Sequence, residues 1–184
     1  NPVINTASSG KKTHFHLGQT LGYFDDDGSI SLYQTFPYKV SISDDFFATY
    51  SSETDNIDFF KSNGEKAGVI EAKGFPYFVD NLVYVFLPGG CSFSKCSETG
   101  KVLWTFEGTF PITAFAAKEK YTAVGLANGK IIVLNNENGT TEIDFAPGGS
   151  DYPVILGLDI SDDGQYIASV SGHNHQRFVL SHRE

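Results

Sequence analysis

The sequence predicts an all-β chain built from repeated units of about 40 residues. Its composition favours strands and tight turns, since it has 16 Phe, 9 Tyr and 19 Gly together with many Val and Ile. No stretch of useful length has the 3.6-residue periodicity of an amphipathic helix. An aromatic residue followed by proline occurs four times, at spacings of 39, 35 and 42 residues: Phe36-Pro37, Phe75-Pro76, Phe110-Pro111 and Tyr152-Pro153.

Each aromatic-proline dipeptide is predicted to open one repeat, because proline has no N–H and belongs at the start of a strand. Two strands follow, and the third strands are predicted at 57–61, 91–95, 131–135 and 177–181. A glycine turn then recurs at Gly64, Gly100 and Gly139 before a fourth strand. Four short antiparallel strands per repeat are typical of a β-propeller blade. We therefore expect an all-β propeller of about five blades with up to four strands each, in a partial or unusually small ring.

The repeat also sets the expected domain organisation. Residues 1–12 are small and polar and are predicted to be a flexible leader. A partial blade is expected at 13–35, with a hairpin across Asp25-Asp26-Asp27-Gly28, followed by blades at 36–74, 75–109, 110–151 and 152–184. Either residues 14–18 supply the missing last strand of the final blade, or the chain is part of a larger ring. Unpaired edge strands would invite self-association.

Charge and hydropathy exclude two classes of partner. The net charge of −9 argues against a nucleic-acid phosphate surface. No stretch approaches the roughly 20 apolar residues of a membrane-spanning helix, so no membrane span is expected. The chain begins with Asn rather than Met, which indicates a processed or excised chain. The compartment stays open, with a periplasmic or secreted location favoured.

The two cysteines, Cys91 and Cys96, leave their redox state open. Five residues of extended chain would separate them by roughly 17 Å, which exceeds the Cα separation of about 7 Å that a disulfide allows. Only an intervening turn would bring the two sulfur atoms together.

One segment resembles a known family of propeller repeats. Thr99-Gly100-Lys101-Val102-Leu103-Trp104 is similar to the quinoprotein-like blade pattern Ala-x-Asp-x-x-Thr-Gly-Lys-x-x-Trp, with Ser94 and Cys96 at the Ala and Asp positions. The segment 161–169 looks more like a WD-repeat blade. The resemblance covers roughly residues 20–184 and implies a fold rather than an activity.

The same family includes quinone-dependent dehydrogenases and non-enzymatic scaffolds. The resemblance implies that an enzyme of this kind would hold a quinone between a Trp and a vicinal disulfide, beside a calcium ion and an Asp base. The chain has no adjacent cysteine pair, and Trp104 lies in the blade motif itself. We therefore expect no cofactor.

Paired histidines are the candidate metal ligands. His14 with His16, and His173 with His175, each place two imidazoles on one face of an extended segment. If the chain ends meet at ring closure, the four would form a zinc or other transition-metal site. The alternative places His173 and His175 in an exposed loop and His14 and His16 beside the leader. No catalytic residue is identified, since a Gly-x-Ser-x-Gly nucleophile motif is absent.

Taken together, these features favour a non-catalytic protein-binding or scaffold module over an enzyme. Propeller loops present one face to a protein or peptide partner, and an acidic surface favours a basic one. The alternative is a propeller enzyme, a hydrolase or oxidoreductase, with its site at the central channel. An exposed aromatic patch would favour the binding module, and a polar, metal-bearing cluster would favour the enzyme.

Overall fold

The structure is a computed structural model that describes residues 3–4, 10–51, 55–149 and 151–183. All regular secondary structure in these ranges is β, and it forms five sheets, four of four strands and one of three. The prediction of an all-β chain with about five blade-like sheets is confirmed. No helix in these ranges is long and apolar enough to cross a membrane.

The first two sheets contain the first eight strands. In the first sheet the spatial order is β1-β4-β3-β2, and in the second it is β5-β6-β7-β8. The strands of the first sheet are β1 (Val3–Ile4), β2 (Thr13–Leu17), β3 (Thr20–Phe24) and β4 (Ile30–Thr35). Those of the second are β5 (Lys39–Ile42), β6 (Phe46–Tyr50), β7 (Ile57–Lys61) and β8 (Lys66–Ile70).

The remaining three sheets follow in chain order. The third contains β9 (Phe75–Val79), β10 (Leu82–Phe86), β11 (Ser92–Cys96) and β12 (Val102–Glu107). The fourth contains β13 (Ile112–Ala117), β14 (Tyr121–Leu126), β15 (Ile131–Asn135) and β16 (Thr141–Phe145). The fifth contains β17 (Ile155–Ile160), β18 (Tyr166–Ser171) and β19 (Arg177–His182), and β19 lies at its edge.

The first sheet differs in one respect from the expected arrangement. The hairpin across residues 25–28 is present, with Gly28 N–H donating to the Asp25 carbonyl at 2.8 Å. However, β2 pairs with β3 of the first sheet, so residues 14–18 do not supply a fourth strand to the last sheet. Local hairpin closure is available to β2 because only two residues separate it from β3. Within the predicted leader, Val3–Ile4 pair with β4, while residues 1–2 and 5–9 lie outside the described residues.

The glycine turns explain how the third and fourth strands meet. Gly64, Gly100 and Gly139 have φ of 85°, 95° and 74°. Residues that have a side chain rarely adopt this left-handed backbone conformation, so glycine is the residue that closes the turn without strain. Each donates its N–H to a carbonyl three or four residues earlier, at 2.8 to 2.9 Å.

The chain divides into two compact units, one of residues 1–88 and 94–103 and one of residues 89–93 and 104–184. The first unit has two apolar clusters. One joins the first and second sheets through Leu21, Tyr23, Leu32 and Phe47. The other joins the second sheet to strands β9 to β11, and its buried members are Phe46, Ala48, Ile57, Phe59, Ile70, Phe78, Val83, Val85 and Cys96.

The second unit has its own core between the fourth and fifth sheets. Its buried members are Ala123, Ile131, Val133, Ile155, Ile160 and Ile167. An aromatic cluster lies beside it, where the rings of Trp104 and Phe115 each meet the Phe93 ring nearly edge-on at 5.8 and 5.2 Å. These edge-to-face contacts are favourable for aromatic quadrupoles.

Asn136 links the Trp104 ring to the turn between β13 and β14. Trp104 Nε1–H donates to the Asn136 carbonyl at 2.9 Å. The buried Asn136 amide donates to the carbonyls of Lys118 and Glu119 at 2.7 and 3.0 Å, and its Oδ1 accepts from the Thr122 hydroxyl. One side chain thus satisfies three polar groups at a buried position.

Asn136→Ala is expected to destabilise the protein by roughly 2–3 kcal/mol, because it leaves buried polar groups without partners. The free energy of unfolding in urea measures the effect. Asn138→Ala is the matched control, since Asn138 is exposed and accepts hydrogen bonds from Thr140 in its own turn. Its expected loss is below about 1 kcal/mol, and equal losses in the two variants would contradict the assignment of Asn136.

Candidate functional site

His14 is held by the turn between β5 and β6 rather than left free as a ligand. Its backbone N–H and its ring Nδ1–H both donate to Oδ1 of Asp44, at 3.0 and 2.7 Å. The Asp44 carboxylate therefore fixes both the start of β2 and the orientation of the imidazole. His14 and Asp44 form a partly exposed ion pair when the imidazole is protonated.

His16 makes a different set of contacts. Its Nε2–H donates to the Gly18 carbonyl at 2.8 Å. Its ring lies 5.4 Å from the ring of Phe36. The two imidazoles of this pair thus bond to separate partners, although both side chains leave the same side of β2.

The β5–β6 turn that presents Asp44 is stabilised by Ser43. The Ser43 hydroxyl accepts from the N–H groups of Asp45 and Phe46 at 3.3 and 3.1 Å and donates to the Asp80 carbonyl at 2.7 Å. The same local device recurs in the last repeat, where Ser161 Oγ accepts from the Tyr166 N–H at 2.9 Å. A serine before two aspartates therefore closes both turns.

Asp44 and Asp45 are neighbours whose pKa values move in opposite directions. Partial burial opposes ionisation of Asp44, but the hydrogen bonds from His14 and the charges of His14 and Lys11 outweigh it and lower the pKa of Asp44. Partial loss of hydration, with the carboxylates of Asp80 and Asp44 nearby, raises the pKa of Asp45. The difference comes from the partners, since the residue type is the same.

His173 and His175 lie in the loop between β18 and β19, where they line a cleft of about 600 Å³. The loop preceding β17 forms its other wall, and the described lining residues are Gly149, Asp151, Tyr152, His173, Asn174 and His175. The His173 ring meets the Tyr152 ring nearly edge-on at 6.0 Å, and its Nδ1–H donates to the Asn174 side chain at 3.1 Å. The structure places both histidines in an exposed loop, which was one of the two alternatives from the sequence.

Arg177 holds the far wall of this cleft in place. Its guanidinium donates to the Gly149 carbonyl at 3.1 Å, which ties the loop before β17 to the start of β19. Gly149 has a φ of 79°, and a β-carbon there would meet the guanidinium at 2.1 Å. The loop can therefore approach Arg177 this closely only with glycine at the position.

A second cleft lies at the corresponding loops of the second sheet. It has a volume of about 300 Å³, and its lining residues are Pro37, Tyr38, Thr49, Tyr50, Ser51, Asn56, Ile57 and Asp58. As in the fifth sheet, the aromatic-proline loop before the first strand contributes a tyrosine. Described residues at the end of β6 and the start of β7, at 49–51 and 56–58, form the other wall. Tyr38 is 67% exposed and Tyr152 is 52% exposed.

The four-histidine metal site stays a prediction. His14 and His16 belong to the first unit and His173 and His175 to the second, and each pair makes the local contacts given above. Within residues 10–51, 55–149 and 151–183, no group of three or more His, Cys, Asp or Glu side chains is arranged to hold a metal ion.

Both cysteines are free thiols, which resolves the question that the sequence left open. Cys91 directly precedes β11 and Cys96 is its last residue, so the extended strand keeps the two sulfur atoms apart. Burial raises the pKa of the Cys96 thiol to about 11. A thiol that stays protonated at neutral pH is a poor nucleophile, and Cys96 instead packs in the core of the first unit.

Sequence reasoning missed Tyr38 and Tyr152 as surface residues. The aromatic-proline dipeptides were interpreted as strand openers, and three of the four do lie just before a first strand, while Phe75-Pro76 begins β9. The signal was available, because a proline loop lies outside the strand ladders and at the surface. The sequence did not indicate which loops would lie close enough together to form the two walls of each cleft.

Comparison with known proteins places the chain in a family. Residues 2–184 match the family described as beta-propeller protein, and the chain belongs to that family. It is also 32% identical over 166 residues to an uncharacterized protein of Treponema pallidum (strain Nichols), a match that covers 90% of this chain and 44% of that protein. The chain thus spans less than half the length of this curated relative.

Two solved structures have a similar fold. Kluyveromyces lactis Hsv2 is similar with a TM-score of 0.67 and 17% identity, over 91% of this chain and 58% of that chain. The computationally designed Ika4 protein is similar with a TM-score of 0.56 and 20% identity, over 79% of this chain and 89% of that chain. At these identities the likeness shows the fold alone.

The opposite pKa shifts of Asp44 and Asp45 allow the contact between His14 and Asp44 to be tested by mutation. The lowered pKa means that the Asp44 charge stabilises the fold above the ordinary Asp pKa of 3.8, and that this contribution is lost as the pH falls through the folded value. Asp44→Asn, which keeps an acceptor oxygen, should therefore lower the free energy of unfolding at pH 7 by roughly 0.2–1 kcal/mol and have a smaller effect near pH 2.5, below the ordinary Asp pKa.

Asp45→Asn should change stability in the opposite direction. Because the fold raises the pKa of Asp45, its charge disfavours the native state at pH 7, and the gain from removing it vanishes when both states are protonated. Urea unfolding of both variants at the two pH values measures the effects. Destabilisation of equal size by both variants at pH 7 would refute the opposite roles.

Proposed function

We propose that this chain is a non-catalytic module that binds a protein or peptide partner through its two clefts. The observation that carries the proposal is the repetition of one arrangement at two blades. In each cleft a largely exposed tyrosine from an aromatic-proline loop stands opposite described residues that lie between the second and third strands or at the ends of those strands. Exposed aromatic rings on rigid frames are typical of recognition surfaces.

The charge of the clefts favours a basic partner. Asp151 lines the cleft of the fifth sheet, in a chain of net charge −9. Asp58 lines the cleft of the second sheet but already pairs with Lys66 Nζ at 3.0 Å, so charge favours a basic ligand mainly in the cleft of the fifth sheet. An arginine side chain suits such a site, since it stacks on a tyrosine ring and also pairs with a carboxylate. We propose a segment containing arginine as the ligand.

The lining chemistry favours binding over the alternative of a hydrolase or oxidoreductase. In the cleft of the fifth sheet, the described lining residues include imidazoles but no Ser, Thr, Cys or Lys. In the cleft of the second sheet, the hydroxyls of Thr49 and Ser51 have no histidine among the lining residues beside them. A serine, threonine or cysteine nucleophile is usually activated by an adjacent histidine base, and neither described lining supplies that pair.

Three finer features remain proposals. The 99–104 segment supports a quinoprotein-like blade, and the 161–169 segment supports a WD-repeat-like blade. A scaffold role fits a chain whose sheets repeat while their loops differ. Self-association through an edge strand would use β19, the edge of the three-stranded sheet.

A labelled peptide of alternating arginine and glycine tests the proposed binding. We expect it to bind in fluorescence anisotropy, with affinity falling as salt is added, because the exposed charges are screened. Tyr152→Ala should weaken binding about two- to fivefold, as the loss of an exposed cation–π contact of about 0.5–1 kcal/mol implies. Asp151→Asn should reduce both the affinity and its salt dependence.

Tyr77→Ala is the matched control, because Tyr77 is a similarly exposed tyrosine, at 41%, on β9 outside both clefts. It should leave peptide binding unchanged. Equal binding of a peptide of alternating glutamate and glycine, or an equal loss in the Tyr77 and Tyr152 variants, would overturn the proposal.

A further inference from the structure

The cleft of the second sheet has two tyrosines among its described lining residues. Tyr38 is 67% exposed and follows the aromatic-proline dipeptide, whereas Tyr50 is half-buried at the end of β6. In the ladder of this sheet Tyr50 pairs with Lys39, the residue next to Tyr38, so the two tyrosines lie at neighbouring strand ends. The cleft thus offers one open aromatic ring and one that the sheet holds in place.

The charged groups near this cleft are already matched within the chain. Asp58 is the acidic residue of the described lining, and its Oδ1 pairs with Lys66 Nζ at 3.0 Å. The Lys39 ammonium lies 5.3 Å from the centre of the Phe75 ring, and the described lining contains no Lys or Arg. The described part of the cleft therefore presents aromatic rings beside a carboxylate that already has a partner.

A cation that needs no hydrogen-bond acceptor fits such a surface best. An ammonium or guanidinium group has N–H donors, which lose their hydration on binding and must then be matched by acceptors. A quaternary ammonium has no N–H group and is attracted to the face of an aromatic ring by its charge. The cleft volume of about 300 Å³ suits a small cationic group, since it lies at the lower end of the range for ligand pockets.

We propose that this cleft binds a trimethylated lysine side chain of the protein or peptide partner. Its methyl groups would lie against the rings of Tyr38 and Tyr50. The polar side chains of Thr49, Ser51 and Asn56 would meet the peptide backbone beside it. A choline lipid has the same cationic group, but its phosphate would find no Lys or Arg in the described lining.

This inference rests on the proposed function, because it takes the partner to be a protein or peptide. It gives the two clefts different ligands. Arginine suits the cleft of the fifth sheet, where Asp151 lies beside Tyr152. Trimethyllysine suits the cleft of the second sheet, where two tyrosines lie beside the Asp58–Lys66 pair.

NMR titration of the isotope-labelled chain with three short Gly-Ser peptides tests the inference. One peptide contains lysine, one trimethyllysine, and one the neutral isostere in which carbon replaces the quaternary nitrogen. We expect the trimethyllysine peptide to shift the amide signals of Tyr38 and Tyr50. It should bind roughly threefold more tightly than either of the others, because it alone combines a positive charge with the absence of N–H donors. Equal affinity for the trimethyllysine and neutral peptides, or for the trimethyllysine and lysine peptides, would overturn the proposal.

Substitutions separate the aromatic contact from a carboxylate contact. Tyr38→Ala should weaken trimethyllysine binding about two- to fivefold, whereas Tyr38→Phe, which keeps the aromatic face, should preserve it. Asp58→Asn should weaken binding less than Tyr38→Ala, because Asp58 is already paired. Tyr77→Ala is the matched control outside the cleft and should have no effect. A loss in Asp58→Asn as large as that in Tyr38→Ala would assign recognition to the carboxylate and contradict the aromatic site.

The peptide of alternating arginine and glycine separates this inference from the proposed function. We expect Tyr38→Ala to weaken trimethyllysine binding and Tyr152→Ala to leave it unchanged. A chain that binds the arginine peptide but not the trimethyllysine peptide would refute the inference and leave the proposed function standing. Tighter binding to phosphatidylcholine vesicles than to the trimethyllysine peptide would assign the cleft to a lipid headgroup and refute the inference as well.

Discussion

Burial of both apolar faces of each small sheet is the constraint on which this structure depends. A three- or four-stranded sheet cannot cover its own faces, so each one relies on a neighbour. The fourth sheet shows both contacts, with Ile131 and Val133 against the fifth sheet and Phe115 edge-on to Phe93 of β11. Where no neighbour lies in the described structure, as at Phe178 and Leu180, apolar side chains stay exposed.

The same constraint separates the strands that recur in every repeat from the loops that differ between repeats. Strand positions must match the sheet beside them, which limits them to apolar side chains of suitable size. The loops before the first strand and after the second carry no such requirement. They are where Tyr38, Tyr152 and the histidine pair 173 and 175 lie, and where the two clefts form.

Polar side chains in this protein act mainly by completing backbone and turn hydrogen bonds. Asn136 satisfies three groups beside the Trp104 ring, and Ser43 organises the turn that presents Asp44. His14 belongs to the same category, because its ring and backbone bond to one carboxylate oxygen. A histidine that looks like a metal ligand in the sequence can thus be an anchor for a strand start.

The sequence by itself determined the class of fold, because strand period, turn chemistry and repeat length are local properties. Gly64, Gly100 and Gly139 marked their turns correctly, and β7 and β15 begin and end where the pattern placed them. Spacing along the chain did not determine the partners of side chains. The pairing of β2 with β3, the bond from His14 to Asp44 thirty residues away, and the meeting of Tyr152 with His173 depend on which strands lie side by side. Only the tertiary structure decided these contacts, because the two side-chain contacts join segments that are far apart in the chain, and because β2 had two possible partners, the adjacent β3 and the last sheet.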